Sequence, residues 1–513
     1  MEQENITPED YNQQHLTRII IGIMLGVFLA GIDGTVVSTA MPTIVTELGG
    51  LAIYSWVFSA YMLTGAISMP IFGKLCDVIG IKINFFAAVV LFLAGSILSG
   101  LSANMMQLVL FRAVQGLGAG GMFSVPYALI GKVFPPERRG KALGYTSAVW
   151  GISSVLGPLL GSTIVTALTW RWVFYLNIPF GIGAIYMINR AYREVSLPDE
   201  RQPIDYGGAF FLMVSILLLL LGFLRYGQRV PFWSWSVAGL LGSAVVAVLA
   251  LIQVEKRAKD PILPLDFFSL PVFRLTNIIA LLGGFTILGL ISYVPLYVQA
   301  SKGGSAMTAG IVIMPLSIGW SGASFITGRI LHRTGGKKMI VAGMAMVLAG
   351  CLLALRMDES TPLAFIIGNM LVLGIGMGTQ TPGLLVTLQN SIHISVMGVA
   401  TASQQLARRI GATVGVSLMG AVLTKIFISG VAGAKESQTF GQLPESLKSQ
   451  FGDPTSLLTG EARELLPADL LRPLLEAFSN SITGIFAVGV AAAALGLVLS
   501  FRIHQPESVE KPT

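Results

Sequence analysis

The sequence predicts an all-α polytopic membrane protein of 14 transmembrane helices, built as two six-helix bundles with two further helices inserted between them. Three observations carry this. The chain of 513 residues is 53% hydrophobic and 12% charged, where a soluble protein carries about 25% charged residues. Apolar runs of about 20 residues, the length a helix needs to cross the hydrocarbon, recur along the whole chain. A loop sequence and a glycine pattern from the first half both return in the second.

The runs place helices near 18–40, 53–73, 83–102, 105–132, 142–166, 170–189, 206–224, 235–254, 275–299, 308–328, 338–356, 362–388, 395–427 and 476–501. An even number puts both termini on one side. Of the 33 lysines and arginines, 20 fall in the termini and loops of that side, 10 on the other, and three (Arg112, Arg408, Arg409) within spans. Because cytoplasmic loops collect Lys and Arg, the expected setting is a plasma (inner) membrane with N- and C-terminus cytoplasmic. The densest clusters are Lys132, Arg138, Arg139 and Lys141, and Arg329, Arg333, Lys337 and Lys338. Scattered through short loops without interleaved aromatics, these charges make no nucleic-acid surface.

The remaining segments fit the same plan. Met1 to Thr17 is polar and acidic, and the apolar run after it is long enough to span, so the start reads as a cytoplasmic tail rather than a signal peptide. Cys76 and Cys351 lie at the end of one span and within another, a setting for small packing residues rather than a disulfide framework. The connection 428–475 holds Pro444, Pro454 and Pro467 and a partly amphipathic run from Pro467 to Phe478. Loops this long are commonly functional or disordered; short surface helices over the outer face are expected.

The repeat sets the domains. Gly73-Lys74-Leu75-Cys76-Asp77-Val78-Ile79-Gly80-Ile81-Lys82 returns 255 positions later as Gly328-Arg329-Ile330-Leu331-His332-Arg333-Thr334-Gly335-Gly336-Lys337, and Gly116, Gly118 and Gly120 return at an offset of 258 as Gly374, Gly376 and Gly378. Two bundles, 18–192 and 273–502, account for twelve spans. The pair within 205–254 is an insertion, 428–475 is an extracytoplasmic loop, and 1–17 and 503–513 are tails. Internal repeats around a central site are the architecture of secondary transporters.

Asp33 is the acidic residue of the apolar stretch Ala30 to Pro42. A charge at bilayer depth costs about 2.5 kcal/mol or more on insertion scales, and such a residue is functional by default. At 1.5 Å per residue, Asp33 lies about 10 Å below the outer end of a first helix closing at residue 40, and Arg112 about 10 Å from the start of the fourth near Met105. The two residues thus sit at matching depth. A nearby guanidinium favours an ionised carboxylate and desolvation a neutral one, so helix movement that changes their separation would load or unload a proton.

Four motif sites then carry a resemblance covering nearly the whole chain. Ile32 to Pro42 is similar to a first-helix signature, Arg112 to Gly121 to a fourth-helix motif, Gly73 to Lys82 with its echo to a cytoplasmic gate signature, and Gly151 to Gly161 to a fifth-helix antiport motif. The chain resembles the 14-helix drug:proton antiporters of the major facilitator superfamily. The resemblance implies the major facilitator fold, proton transfer at Asp33 and Arg112, and gating by Gly73, Asp77, Gly80, Lys82, Arg329 and Lys337. Asp77 is expected to engage a basic residue and a helix N-terminus, which favours a carboxylate. Two positions depart from the family pattern: Ile81 replaces an arginine, and His332 stands where the second half might carry an acid.

The antiport motif comprises Gly151, Gly157, Pro158 and Gly161. Its glycines allow close helix approach, and Pro158 removes a backbone hydrogen bond and permits a kink. Gly116, Gly118 and Gly121 also fit G-x-G-x-x-G, but no strand precedes them, so helix packing explains them better than a dinucleotide. Candidates for the substrate cavity are Gln115, Asn369, Gln380, Gln404 and Arg408, with Gln389 and Asn390 as further polar positions. Arg408 and Arg409 lie about 20 Å along the thirteenth helix from Ser395. Gln404 and Arg408 share a stripe at i, i+4; the alternative is that both arginines snorkel or pack between helices.

No P-loop, HExxH, CxxC or GxSxG is found, so no catalytic residues, metal or cofactor are expected, and an ion gradient must supply the energy. The expected function is proton-coupled antiport by alternating access, with a small-molecule substrate, protons and the lipid bilayer as partners. With no second acid within a span, the expected substrates are small lipophilic compounds, neutral or monocationic. Transport of an endogenous solute or lipid such as a lysophospholipid is the alternative, and a non-transporting membrane sensor a remote one. Whether an adaptor protein is needed stays open.

Overall fold

The computed structural model describes residues 13–50, 53–54, 56–194, 205–227, 234–302, 306–358, 360–435, 440, 448 and 467–503. They form helices α1 (Gln13–Leu48), α2 (Trp56–Val78), α3 (Ile81–Gly100), α4 (Met105–Val133) and α5 (Pro136–Ala167). A single helical turn, Trp172–Tyr175, leads into α6 (Asn177–Ala191). Then come α7 (Tyr206–Gly227), α8 (Trp235–Glu255), α9 (Pro271–Lys302), α10 (Ala306–Thr334), α11 (Gly336–Ala354), α12 (Leu363–Gln389), α13 (Met397–Lys435) and α14 (Ala468–Phe501). With that single turn counted into α6, all 14 are long and apolar enough to cross a membrane. Helices answer the requirement that every backbone polar group be satisfied away from water.

The sequence repeat is a structural repeat. Gly80 and Gly335, 255 positions apart, are the N-cap residues of α3 and α11 with φ of 108° and 81°, a region that favours glycine. Gly116 and Gly120 of α4 lie against the α2 backbone and Gly118 against α3. Their echoes repeat this: Gly374 and Gly378 of α12 lie against α10, and Gly376 against α11. Small residues let backbones approach in this way. Ser68 Oγ of α2 donates to Leu117 O at 2.8 Å, and Ser324 Oγ of α10 to Gly378 O at 3.0 Å.

The two bundles meet backbone to backbone towards the end that carries Gly80 and Gly335, where the basic loops gather; we call it the basic end. Gly73 of α2 abuts Gly398 of α13, and Gly140 of α5 abuts Gly328 of α10, each with a carbonyl where the other's Cβ would be. The two crossings are themselves related by the repeat, Gly73 to Gly328 and Gly140 to Gly398, and neither Gly140 nor Gly398 was picked out from the sequence.

Several boundaries differ from expectation. Pro42 lies inside α1, which runs on to Leu48; Glu47 fixes the added turns by accepting from Trp170 Nε1 at 2.8 Å and Arg171 Nη1 at 2.7 Å. The run from Pro467 to Phe478 is no separate surface helix, since Pro467 is the N-cap of α14 and the helix is continuous from Ala468. Helix α13 reaches Lys435. Most of the rest of 428–475 lies outside the described residues. The inserted pair α7–α8 packs aliphatic side chains, Leu212, Ile216, Leu220 and Leu251, on Leu63, Ala66 and Ile67 of α2 and on Leu406 of α13.

Candidate functional site

Asp33 sits mid-α1, 1% exposed, and Arg112 of α4 is fully buried. Arg112 Nη1 donates to Asp33 Oδ2 at 2.6 Å. Asp33 Oδ1 accepts from Gln115 Nε2 at 2.7 Å and from Asn177 Nδ2 of α6 at 3.4 Å. Gln115 also accepts from Arg112 Nη1 at 2.7 Å, a contact that i, i+3 spacing on α4 provides. Asn177 in turn donates to Ser96 Oγ of α3 at 3.0 Å. The Tyr61 ring of α2 lies 4.1 Å from the guanidinium carbon, and its hydroxyl is buried without a partner. A buried pair persists only where extra hydrogen bonds offset desolvation; here Gln115 and Asn177 supply them.

The depth arithmetic behind this pair needs correction. Asp33 is about 22 Å from the end of α1 at 1.5 Å per residue, because the helix continues past Pro42. The pair is nonetheless formed, at 2.6 Å. Asn177, Ser96 and Tyr61 were missed; the signal was available as polar groups within apolar runs on helices of the same half.

At the basic end, Asp77 of α2 accepts from Lys132 Nζ at 2.9 Å and from the backbone N–H groups of Gly398 and Val399, at 3.0 and 2.9 Å, in the first turn of α13. The carboxylate thus joins one bundle to the N-terminus of a helix in the other, where the dipole favours it. Gly80 supplies the turn into α3, whose first N–H groups, those of Ile81 and Lys82, donate to Glu194 at 2.7 and 3.0 Å. Lys82 Nζ donates to Asn189 O at 3.2 Å. Among the described residues Arg329 pairs with no acid, and its guanidinium carbon lies 3.8 Å from the Phe325 ring centroid. Lys337 stands in the first turn of α11. Arg139 adds a second bridge between the bundles, donating to Asn390 Oδ1 at 2.7 Å.

The fifth-helix motif divides its glycines between two neighbours. Gly157 and Gly161 pack on Thr35 and Thr39 of α1, while Gly151 packs on Ser321 of α10 in the other half. Pro158 lies within α5. The helix that carries the motif therefore touches both α1, which holds Asp33, and the opposite bundle.

The polar positions assigned to a cavity are mostly placed elsewhere. Gln115 belongs to the Asp33 cluster. Asn369 is 2% exposed in the second bundle with neither amide atom partnered. Gln380 is buried against Gly283 of α9. Gln404 donates to Leu384 O within its own half at 3.3 Å, and Arg408 packs on Gly284 of α9. The stripe of α13 that faces the first half is one residue on: Gln405 donates to Phe123 O at 3.4 Å, and Arg409 lies 3.9 Å from the Phe123 ring centroid. A helix face cannot be fixed from i, i+4 spacing alone when both candidate stripes are polar. Among the described residues neither Arg408 nor Arg409 has a carboxylate partner.

Residues 23–416 match the family described as Major Facilitator Superfamily. Multidrug resistance protein 3 of Bacillus subtilis (strain 168) is 34% identical over 94% of this chain and 93% of its own length. Multidrug transporter protein MdtP of the same organism is 37% identical over 80% of this chain and 76% of its own. The efflux pump dotC of Dothistroma septosporum is 32% identical over 95% and 83%. Among solved structures, the human organic anion transporter MFSD10 superposes with a TM-score of 0.65 at 13% identity, covering 94% of this chain and 99% of its own. The proton:xylose symporter XylE superposes with a TM-score of 0.62 at 15% identity, covering 96% of each; at such identities the likeness is one of fold.

Proposed function

This chain belongs to the major facilitator superfamily, and we propose that it is a proton-coupled antiporter exporting small lipophilic or monocationic compounds by alternating access. It is a multi-pass membrane transporter, not an enzyme, with relatives named for multidrug resistance. The observation that carries the finer reading is Asp33: a carboxylate within a membrane span, 1% exposed, held by Arg112, Gln115 and Asn177.

In this reading the basic end faces the cytoplasm, both termini lie there, and the closed Gly73–Gly398 and Gly140–Gly328 crossings describe an outward-facing state. Moving α1 relative to α4 separates Asp33 from Arg112, and the released carboxylate takes either a proton or a cationic substrate. Competition for one carboxylate makes the exchange obligatory. Arg408 and Arg409 of α13, without a carboxylate partner among the described residues, add positive charge at depth, which disfavours dications. Rocking of the two halves carries the exchange.

The test is Asp33→Asn, which keeps size and a hydrogen-bonding group. In vesicles with an imposed pH gradient it is expected to abolish uphill export of a lipophilic monocation while far-ultraviolet circular dichroism stays unchanged. Uphill export retained by the variant overturns the reading.

A further inference from the structure

The repeat serves as an internal control for the basic end. In the first half the N-terminus of α3 is capped by a carboxylate of the chain, with Glu194 accepting from Ile81 N and Lys82 N. Its counterpart, the N-terminus of the 19-residue α11, starts from the same positive-φ glycine, Gly335. There, among the described residues, no side chain accepts from the N–H groups of Gly336, Lys337 or Lys338. Four orphan N–H groups open a helix, and together with its dipole they attract anions.

A second observation stands beside it. Thr387 of α12 is 5% exposed and its hydroxyl has no hydrogen-bond partner. Other buried hydroxyls in these helices, such as those of Ser124, Thr146 and Ser153, donate to a carbonyl three or four residues back. Thr387 Oγ1 instead sits over Gly336, where a Cβ would collide with it. Both line a cavity of about 350 Å³ closed by His332 and Gly335 on one side and by Glu137 and Gly140 of α5 on the other. Lys337 and Lys338 lie in the same first turn. The opposing charge is Glu137, across the cavity on the other half.

We infer that this cavity is a binding site for an oxyanion of the phosphate class, held by the first-turn N–H groups of α11, the Thr387 hydroxyl and the adjacent basic side chains. The anion takes the part that Glu194 plays in the first half. The groups that hold the anion all belong to α11 and α12 of the second half, and the first half adds only Gly140 and the opposing Glu137 carboxylate. Free phosphate and the phosphodiester headgroup of an anionic lipid share this chemistry.

The experiment uses the full-length protein in phosphatidylcholine nanodiscs in phosphate-free buffer, following thermal unfolding against inorganic phosphate and, separately, against discs doped with phosphatidylglycerol. A saturable rise in melting temperature is expected with one or both. A response to phosphate alone identifies a free oxyanion, and a response to phosphatidylglycerol alone the lipid headgroup. Thr387→Val is expected to weaken the apparent affinity about tenfold, as loss of one charge-assisted hydrogen bond implies. Lys337→Gln should weaken it as well, and His332→Asp, which puts a like charge in the cavity, should remove the response. The inference is overturned if neither reagent shifts the transition, or if the shifts are equal in the wild type and in those variants that fold.

Discussion

The two halves share a scaffold and differ in chemistry. Glycines at the helix crossings recur in register: Gly73 with Gly328, Gly80 with Gly335, Gly116 with Gly374 and Gly140 with Gly398. Two basic residues recur as well, Lys74 with Arg329 and Lys82 with Lys337, but the buried ion pairs do not. Arg112, paired with Asp33 in the first half, is matched at the same offset of 258 by Met370, uncharged and fully buried. Asp77, bonded to Lys132 and the start of α13, is matched by the exposed His332. Helix packing is thus built twice and the buried acid–base pairs once, in the first half, which is where the proposed proton coupling would reside.

Substitution at matched positions can break this contrast. The largest effect is expected for Arg112→Met, which strands a buried carboxylate and should cost about 3–5 kcal/mol. Asn369→Leu, beside the matched Met370, should instead stabilise by about 1 kcal/mol, since both amide atoms are buried unpaired. Thermal unfolding of the two variants in nanodiscs reads both, and a comparable loss in both would mean that the halves are chemically equivalent after all.

A smaller difference is expected at the basic end. Asp77→Asn leaves Lys132 buried without its ion-pair partner and weakens two bonds to the start of α13, for about 2 kcal/mol. His332→Asn in ligand-free buffer should stay within about 0.5 kcal/mol, as exposed positions generally do. Accessibility of a single introduced cysteine at Gln405 to a membrane-impermeant reagent from that end reports the opening, and should rise only in the Asp77 variant. The smallest difference should separate Gly73→Ala from Gly328→Ala. Each added methyl meets the opposite backbone, each should cost about 1–3 kcal/mol by overpacking, and the two costs should agree. A large gap would show that one crossing alone holds the bundles together.

The sequence made the span count, the repeat and the two charges Asp33 and Arg112 within spans legible, because each rests on run length, register or the cost of a charge in apolar surroundings; that the two charges meet followed from the family resemblance, since the depth argument used the wrong end of α1. What it hid was geometry that depends on a neighbour. Pro42 looked like a helix end because nothing local reveals Glu47 reaching Trp170 and Arg171. Gln404 and Arg408 looked like the inward stripe because only the contact with Phe123 selects Gln405 and Arg409. Glu194 and Asn177 are single polar residues whose roles exist only once α3 and α6 are side by side. Applying the offset of 258 to Gly140 would have found Gly398, so that crossing was available and overlooked.

The inserted hairpin carries one more consequence. It is tethered on one side and smooth on the other: Asp260, in the linker after α8, pairs with Lys74 of α2 at 2.6 Å, whereas its contact with α13 is through aliphatic side chains around Leu406. Dispersion contacts have no preferred register, while an ion pair has one. The hairpin is therefore held to α2 by a charge and rests on α13 through contacts that can slide, so under the proposed rocking it would travel with the first half as a bearing pad.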